Sequence, residues 1–310
     1  MSLALLFPGQ GVQHAAMLPW LDAEPLAAPS LKAMALAVGE RDWRARMADE
    51  AWASSNRIAQ PLMTGVALAA WAVLAPQLPK PTVVAGYSVG ELPAFSVAGC
   101  FSADEALHLA QQRAALMDRC AGAQPGGLLA VSGLRVASLN ELLVRFDLAV
   151  AIRLGVDRCV LGGSLAALAA ISPELLARGA ELTPLKVRLP SHTPAMAAAA
   201  IEFAALLAPM DWPRSAEAVV VCNLDGAGRR DAVTLKQALA RQIDHPVEWE
   251  RSMTTLAERR PRCVLEVGPG TSLARMWAAR FPEVPVRSVD EFHSAQAVVA
   301  WVLTALAASP

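Results

Sequence analysis

The sequence TVVAGYSVGELPAF, from Thr82 to Phe95, places a serine between two glycines. Its apolar start, Val83 to Ala85, predicts the end of a buried strand, and Glu91 to Phe95 predicts the first turns of a helix. This spacing on a strand-to-helix turn is typical of a nucleophile elbow, which exposes a serine hydroxyl at a helix N-terminus. A glycine-rich turn with a capping serine is the alternative interpretation. Ser88 is therefore the candidate nucleophile.

The composition is typical of a folded, enzyme-like chain. The 310 residues are 55% hydrophobic and only 18% charged, which provides ample apolar surface for a core. Lysine and arginine number 27 against 28 acidic residues, for a net charge of −1. We expect no nucleic-acid partner, because binding to a polyanion requires a basic surface.

Neither the cysteines nor the apolar segments indicate a metal site or a membrane span. The five cysteines are widely spaced and no pair has the C-x-x-C spacing, so we expect reduced thiols. The most apolar window, Leu62 to Ala75, is shorter than the roughly 20 residues that a bilayer requires. It lies between Pro61 and Pro76 and predicts a core helix. The N-terminus has no basic segment typical of a signal peptide. We expect a cytoplasmic protein with no membrane contact and no resident cofactor.

The order of predicted elements indicates an α/β fold with a small inserted domain. Leu3 to Phe7 is a continuous apolar run, as in a strand buried on both faces of a parallel sheet. After the breaker cluster Gln124 to Gly127, the pattern becomes β-α-β-β-α-β, which is ferredoxin-like. Its predicted strands are Leu128–Val131, Leu148–Arg153, Cys159–Leu161 and Leu185–Leu189, and its helices are Ser138–Arg145 and Ser164–Ala177. The predicted division is 125–190 for the insert, and 1–124 with 191–310 for the catalytic domain.

Two further side chains suit a catalytic site. Arg113 shares a helical stripe with Leu109 and Met117, so it points to the apolar side of its predicted helix. The guanidinium there either extends to the solvent at the edge of the apolar face or is buried and binds a carboxylate. His192 lies in a short loop between two prolines, and a serine nucleophile requires a base. A lone loop histidine is otherwise structural or merely exposed.

Five motifs in order resemble the malonyl-CoA/acyl-CoA:acyl-carrier-protein transacylases. They extend across nearly the whole chain, and five motifs in register are far more specific than one. The resemblance implies an α/β-hydrolase-like large domain with a parallel sheet core, plus an inserted ferredoxin-like α+β small domain. The motifs are FPGQGVQ from Phe7, GYSVGE from Gly86, Gln112-Arg113, Pro190-Ser191-His192, and EVGPG from Glu266.

The resemblance also implies a role for each matching residue. Ser88 would be the nucleophile and His192 its base, with the backbone N–H groups of Gln10 and Val89 as the oxyanion hole. Arg113 would pair with the free carboxylate of a malonyl group. The histidine would be oriented by a backbone carbonyl rather than by an aspartate. From the segment His245 to Trp249 we predict that this carbonyl belongs to Glu248. The implied partners are malonyl-CoA and an acyl carrier protein.

Departures from the usual family pattern favour one branch. Members that serve fatty-acid synthesis usually carry histidine before the nucleophile and leucine after it, where this chain has Tyr87 and Val89. A common asparagine also has no clear match near Gly155 to Gly163. These features look more like the malonyl transacylase (epsilon) subunit of bacterial malonate decarboxylase, which charges that enzyme's own carrier. The alternatives are a malonyl transacylase of fatty-acid or polyketide synthesis, and a serine esterase or thioesterase with an acidic partner for His192.

Overall fold

Two β-sheets organise the chain in the computed structural model, which describes residues 2–122 and 125–308. The strands of the larger sheet are β1 (Leu3–Phe7), β2 (Val83–Gly86), β7 (Ser215–Val221), β8 (Gly228–Asp231), β10 (Cys263–Glu266) and β11 (Val286–Ser288). Those of the smaller sheet are β3 (Gly126–Ser132), β4 (Ala149–Arg153), β5 (Arg158–Ser164), β6 (Glu181–Pro184) and β9 (Val247–Glu248).

The larger sheet has the order β11-β10-β1-β2-β7-β8, and only the last pairing, β7 with β8, is antiparallel. The strand β1 lies at its centre with every residue buried, which confirms the prediction from its apolar run. Phe7 at the end of β1 is in register with Gly86 at the end of β2. Since parallel strands end at one edge, the loops that follow β1 and β2 are neighbours, and such edges commonly carry active sites.

Helices pack on both faces of the larger sheet. Alternate residues of β1 enter two separate cores, Leu3 and Leu5 on one face and Ala4 and Leu6 on the other. Both faces are therefore apolar. The helices associated with both sheets are α1 (Ala28–Val38), α2 (Trp43–Arg46), α3 (Glu50–Ser54), α4 (Asn56–Leu74), α5 (Glu91–Val97), α6 (Ala103–Ala121), α7 (Asn140–Arg145), α8 (Leu165–Ala177), α9 (Ala197–Leu207), α10 (Ala232–Arg241), α11 (Trp249–Glu258), α12 (Ser272–Arg280) and α13 (Ala295–Ala307), of which α7 and α8 belong to the smaller sheet.

The apolar window predicted as a core helix is α4. With the short 3-10 turn that follows, it runs from Asn56 to Gln77, long and apolar enough to cross a bilayer, but 83% of its apolar window is buried. The prediction of a core helix is confirmed. Its start is not, because α4 begins at Asn56 and contains Pro61. A proline removes one backbone N–H, and the burial of nearly all of α4 outweighs that loss.

The smaller sheet confirms the β-α-β-β-α-β pattern. Its order β6-β3-β5-β4 is antiparallel throughout, and α7 and α8 connect its strands. The predicted fourth strand at Leu185–Leu189 is wrong, because β6 is Glu181–Pro184 and the next residues lead back to the large domain. The short β9 adds to β4 in parallel, so this sheet includes a strand from outside 125–190. Residue 124, the predicted boundary, lies outside the described residues, as do Met1, Ser309 and Pro310.

Candidate active site

Ser88 lies on the predicted elbow in a strained conformation. Its φ of 56° is in the left-handed region that non-glycine residues seldom adopt. The turn closes tightly, since a Cβ on Gly86 would lie 2.0 Å from the carbonyl atoms of Gly90. A Cβ on Gly90 would in turn lie 2.2 Å from the Phe7 oxygen. The two glycines are therefore required for strand and helix to meet, and this geometry exposes the serine hydroxyl.

The loop after β1 packs directly against this elbow. The Tyr87 N–H donates to the Phe7 oxygen at 2.8 Å, and a Cβ on Gly9 would lie 2.7 Å from the Tyr87 oxygen. Gln10 follows, and within the described part of the chain its backbone N–H donates to no protein acceptor. Val89 is buried in the helical turn that begins at Ser88. The fold thus brings Gln10 and Val89, the two residues predicted to form an oxyanion hole, to the same edge of the larger sheet as Ser88.

His192 makes the contact expected of a base. Its Nε2 lies 2.7 Å from the Ser88 Oγ, although the two residues are 104 positions apart. Its Nδ1 lies 2.6 Å from the backbone oxygen of Gln242. A carbonyl oxygen can only accept a hydrogen bond, so the Nδ1 of His192 must carry the proton. Its Nε2 is then unprotonated and accepts a hydrogen bond from the Ser88 hydroxyl. The histidine, with φ of 63°, is fixed further by its backbone N–H, which donates to the Ile243 oxygen.

The carbonyl that orients His192 belongs to Gln242, and the prediction of Glu248 is wrong. The Glu248 carbonyl accepts from the Ser252 hydroxyl at 2.9 Å, and its carboxylate binds Arg153 at 3.0 Å. The chain leaves α10 at Arg241, so Gln242 lies beside the site. Glu248, six residues later, has already joined the smaller sheet in β9.

The surroundings of His192 keep its imidazole neutral. Burial, with a smaller contribution from the nearby Arg113 charge, lowers the pKa of His192 from 6.5 to about 3. The bond to the Gln242 carbonyl opposes this shift only in part. A neutral imidazole with Nδ1 protonated is the form that accepts a proton from a hydroxyl.

Arg113 is buried, as the functional interpretation of its helical stripe requires. It lies on α6 with 1% of its surface exposed, and its Nη1 donates to the Gln60 Oε1 at 2.8 Å. Its Nη2 donates to the Gln242 Oε1 at 3.3 Å, and its Nε has no hydrogen-bond partner among the described residues. Burial lowers the pKa of Arg113 to about 10, partly offset by Glu91. The guanidinium stays charged at neutral pH and retains unused donors for an anion.

Gln242 links the arginine to the serine–histidine pair, and the sequence pattern did not single it out. Its carbonyl accepts from His192, its side-chain Oε1 accepts from Arg113, and its Nε2 donates to the backbone oxygen of Ser88 at 3.5 Å. Gln60 was also missed, although a glutamine at the start of the long apolar run of α4 was a usable signal. The buried side chains of Gln60 and Gln242 hold the guanidinium with neutral acceptors, and no carboxylate among the described residues pairs with it directly.

Asn223 holds the backbone of the elbow, and the sequence pattern did not identify it either. Its Oδ1 accepts from the Ser88 N–H at 2.8 Å, and its Nδ2 donates to the Gly86 oxygen at 2.6 Å. Its own N–H donates to the buried Glu91 carboxyl at 2.6 Å. Burial raises the pKa of Glu91 to about 8. Its position could have identified it, because Asn223 follows β7, which is parallel to β2 and ends at the same edge of the sheet.

The Gly268-Pro269-Gly270 loop is a strand-to-helix turn between β10 and α12. It precedes α12, whose first backbone N–H groups are occupied by the protein itself. The buried Glu266 carboxylate accepts from Leu273 at 3.2 Å and from Ala274 at 2.8 Å. Across the described residues, no group of three or more histidine, cysteine or acidic side chains is placed to hold a metal ion.

Comparison with known proteins agrees with this geometry. The sequence matches the family model for the acyl transferase domain over residues 4–301. It is 33% identical over 294 residues to the malonyl CoA-acyl carrier protein transacylase of Mycobacterium tuberculosis, a match that covers 93% of this chain and 96% of the relative. The crystal structure of MCAT from Mycobacterium tuberculosis has a TM-score of 0.84 at 31% identity, over 94% of this chain and 97% of that one.

A second solved structure is of a complex. It holds a type II PKS acyl-carrier protein with its malonyl-transacylase, and the similarity has a TM-score of 0.87 at 25% identity over 99% of both chains. A strained elbow serine in contact with a histidine, on an α/β fold, is typical of enzymes that form an acyl ester on serine. The chain belongs to the acyl transferase domain family and, within it, to the malonyl-CoA:acyl-carrier-protein transacylases.

Proposed function

We propose that the protein transfers a malonyl group from malonyl-CoA to the prosthetic-group thiol of an acyl carrier protein, through a malonyl ester on Ser88. The observation that carries this proposal is the 2.7 Å contact between Ser88 and a neutral His192. The buried, charged Arg113 contacts the same glutamine that orients His192. The site therefore combines a nucleophile, a base and a carboxylate-binding group.

In the first half-reaction, His192 accepts the Ser88 proton at Nε2 as the serine oxygen attacks the thioester carbonyl. The C–S bond then breaks, and coenzyme A leaves as a thiol with the proton that His192 returns. The backbone N–H groups of Gln10 and Val89 stabilise the tetrahedral oxyanion. Loss of one such donor typically costs about 3 kcal/mol of transition-state stabilisation.

In the second half-reaction, His192 takes the proton of the carrier's thiol, and the thiolate attacks the ester carbonyl. The bond to the Ser88 oxygen breaks, the malonyl thioester leaves on the carrier, and His192 returns the proton to Ser88. The two half-reactions use one base in one tautomer, since the Gln242 carbonyl holds Nδ1–H throughout.

A serine esterase or thioesterase is the alternative from another class, and the partner of His192 argues against it. That hypothesis predicts an acidic group at Nδ1, where this structure has the backbone oxygen of Gln242 at 2.6 Å. The family of the chain also favours transfer to a thiol over transfer to water.

The identity of the carrier is a separate question, and the relatives favour a carrier of fatty-acid or polyketide synthesis. One similar structure is of a malonyl-transacylase with a type II PKS carrier. The malonate decarboxylase carrier, which Tyr87 and Val89 favoured, stays the second hypothesis. The Tyr87 ring packs edge-on against Trp249 with centroids 5.0 Å apart, so packing is sufficient to explain a tyrosine here.

Intact-mass spectrometry tests the proposal directly. Malonyl-CoA alone should add one malonyl group to the protein at Ser88, and a holo carrier should then remove it and gain the same mass. Release of free malonate at the transfer rate would instead establish a hydrolase. Discharge to the malonate decarboxylase carrier alone would select the second hypothesis over the first.

The pH dependence of Ser88 malonylation should lack the usual histidine inflection. An unperturbed histidine has a pKa of about 6.5 and loses its function as a base below that pH. Burial lowers the pKa of His192 to about 3, so its basic form persists far into acid. We expect the second-order rate constant for Ser88 malonylation by malonyl-CoA, measured in single turnovers, to stay level between about pH 5 and 7. A fall centred near pH 6.5 in rapid-quench measurements would contradict this.

A further inference from the structure

A cavity of about 250 Å³ has Gln10 in its wall. Its other walls come from the start of α4, including Asn56 and Arg57, and from the segment Val187 to Leu189, three residues before His192. The cavity is thus shared by the loop that carries Gln10 and by the segment that leads to His192. It is suitably placed for the part of a substrate that extends away from the reacting thioester.

Two arginines line this cavity, and both are exposed. Within the described ranges neither Arg57 nor Arg188 forms a salt bridge. The acidic group in the same wall is Asp118, which accepts from Asn56 at 3.1 Å and attracts Arg57. Nearby Lys186 is paired with Glu50 at 3.3 Å. Arg188 is therefore the cation at this cavity that the protein leaves free for an outside anion.

We propose that Arg188, assisted by Arg57, binds the phosphate attached to the pantetheine arm of the substrate. This rests on the proposed function, because malonyl-CoA and a holo carrier both present a thiol or thioester, then pantetheine, then a phosphate. A guanidinium suits that phosphate, which it contacts through two parallel N–H donors. The phosphate is remote from the reacting carbonyl, so its contact acts on the ground state and transition state equally.

The test compares malonyl-CoA with malonyl-pantetheine, which lacks the phosphate. For the double variant Arg57→Gln/Arg188→Gln, we expect kcat/KM for malonyl-CoA to fall about 3- to 10-fold, mainly through KM. The value for malonyl-pantetheine should be unchanged. Arg158→Gln is the matched control, because Arg158 is also exposed and lines a different cavity.

The two half-reactions distinguish the source of the phosphate. A loss confined to Ser88 malonylation assigns the subsite to coenzyme A, and a loss confined to discharge assigns it to the carrier; either supports the proposal. An equal loss with malonyl-pantetheine, or no loss in either half-reaction, overturns it. Failure of the wild-type protein to form a malonyl ester would refute the proposed function instead, so the two failures are distinct.

Discussion

The Ser88→Ala variant should form no malonyl ester and should lose malonyl transfer by about ten-thousand-fold or more. In the proposed mechanism the Ser88 Oγ is the atom that becomes acylated, so its removal leaves the site without its nucleophile. Alanine accepts the same backbone, since the φ of 56° is imposed by Gly86, Gly90 and the Asn223 amide rather than by the hydroxyl. Intact mass after mixing with malonyl-CoA, and transfer to a holo carrier, measure the two losses.

Ser96→Ala is the matched control for this variant. Ser96 lies on α5, the helix that follows the elbow, and is only partly buried. Its replacement should leave both the malonyl ester and the transfer rate near those of the wild type. A malonyl mass on the Ser88→Ala protein would show that another nucleophile carries the acyl group. Unfolding in urea, compared among the three proteins, separates loss of chemistry from loss of fold.

The elbow could be predicted because its signals are local. The apolar run before Gly86, the glycines that permit a close approach, and the helix that starts at Glu91 are all contained within fourteen residues. The strand, the turn and the helix of the elbow are formed by those same residues. The burial of Arg113 could also be predicted, because its spacing from Leu109 and Met117 places it on the apolar face of α6, and it is buried there.

The orienting carbonyl could not be predicted in this way, because every residue has one. The choice between Gln242 and Glu248 depends on where α10 ends and where β9 joins the smaller sheet, and both are tertiary facts. Asn223 and Gln60 were missed for a related reason. Each is separated in sequence from the residue it supports, and only the order of the parallel strands or the packing of α4 on α6 brings the partners together.

The adjacent arginines Arg229 and Arg230 are both engaged within the protein. Arg229 is bound to Asp225 at 2.5 Å, and Arg230 donates to the backbone oxygens of Ala216 and Glu217. A charged pair in a sequence therefore says little about a docking surface until its partners are known. The free guanidinium at Arg188 was not prominent in the sequence, and only its position at a cavity shared with Gln10 gives it a role.

The second large effect is expected at Arg113, where Arg113→Ala should lower kcat/KM for malonyl-CoA by about 100-fold while acetyl-CoA use is unchanged or improved. In the wild type a substrate without a carboxylate leaves a buried charge without an anion, which disfavours it. In the variant that penalty is gone, and the malonyl carboxylate is the group left without a partner. The ratio of the two kcat/KM values is the measurement.

Arg119→Ala provides the control on the same helix. Arg119 is exposed and pairs with Glu202 on the surface, so its loss should leave the preference for malonyl-CoA intact. Arg113→Lys adds a second variant, which keeps the charge but not the planar fork, and should restore part of the preference. Retained acetyl transfer shows that the Arg113→Ala protein is folded although Gln60 and Gln242 lose a donor. If the malonyl preference survives in such a protein, a group other than Arg113 must bind the carboxylate.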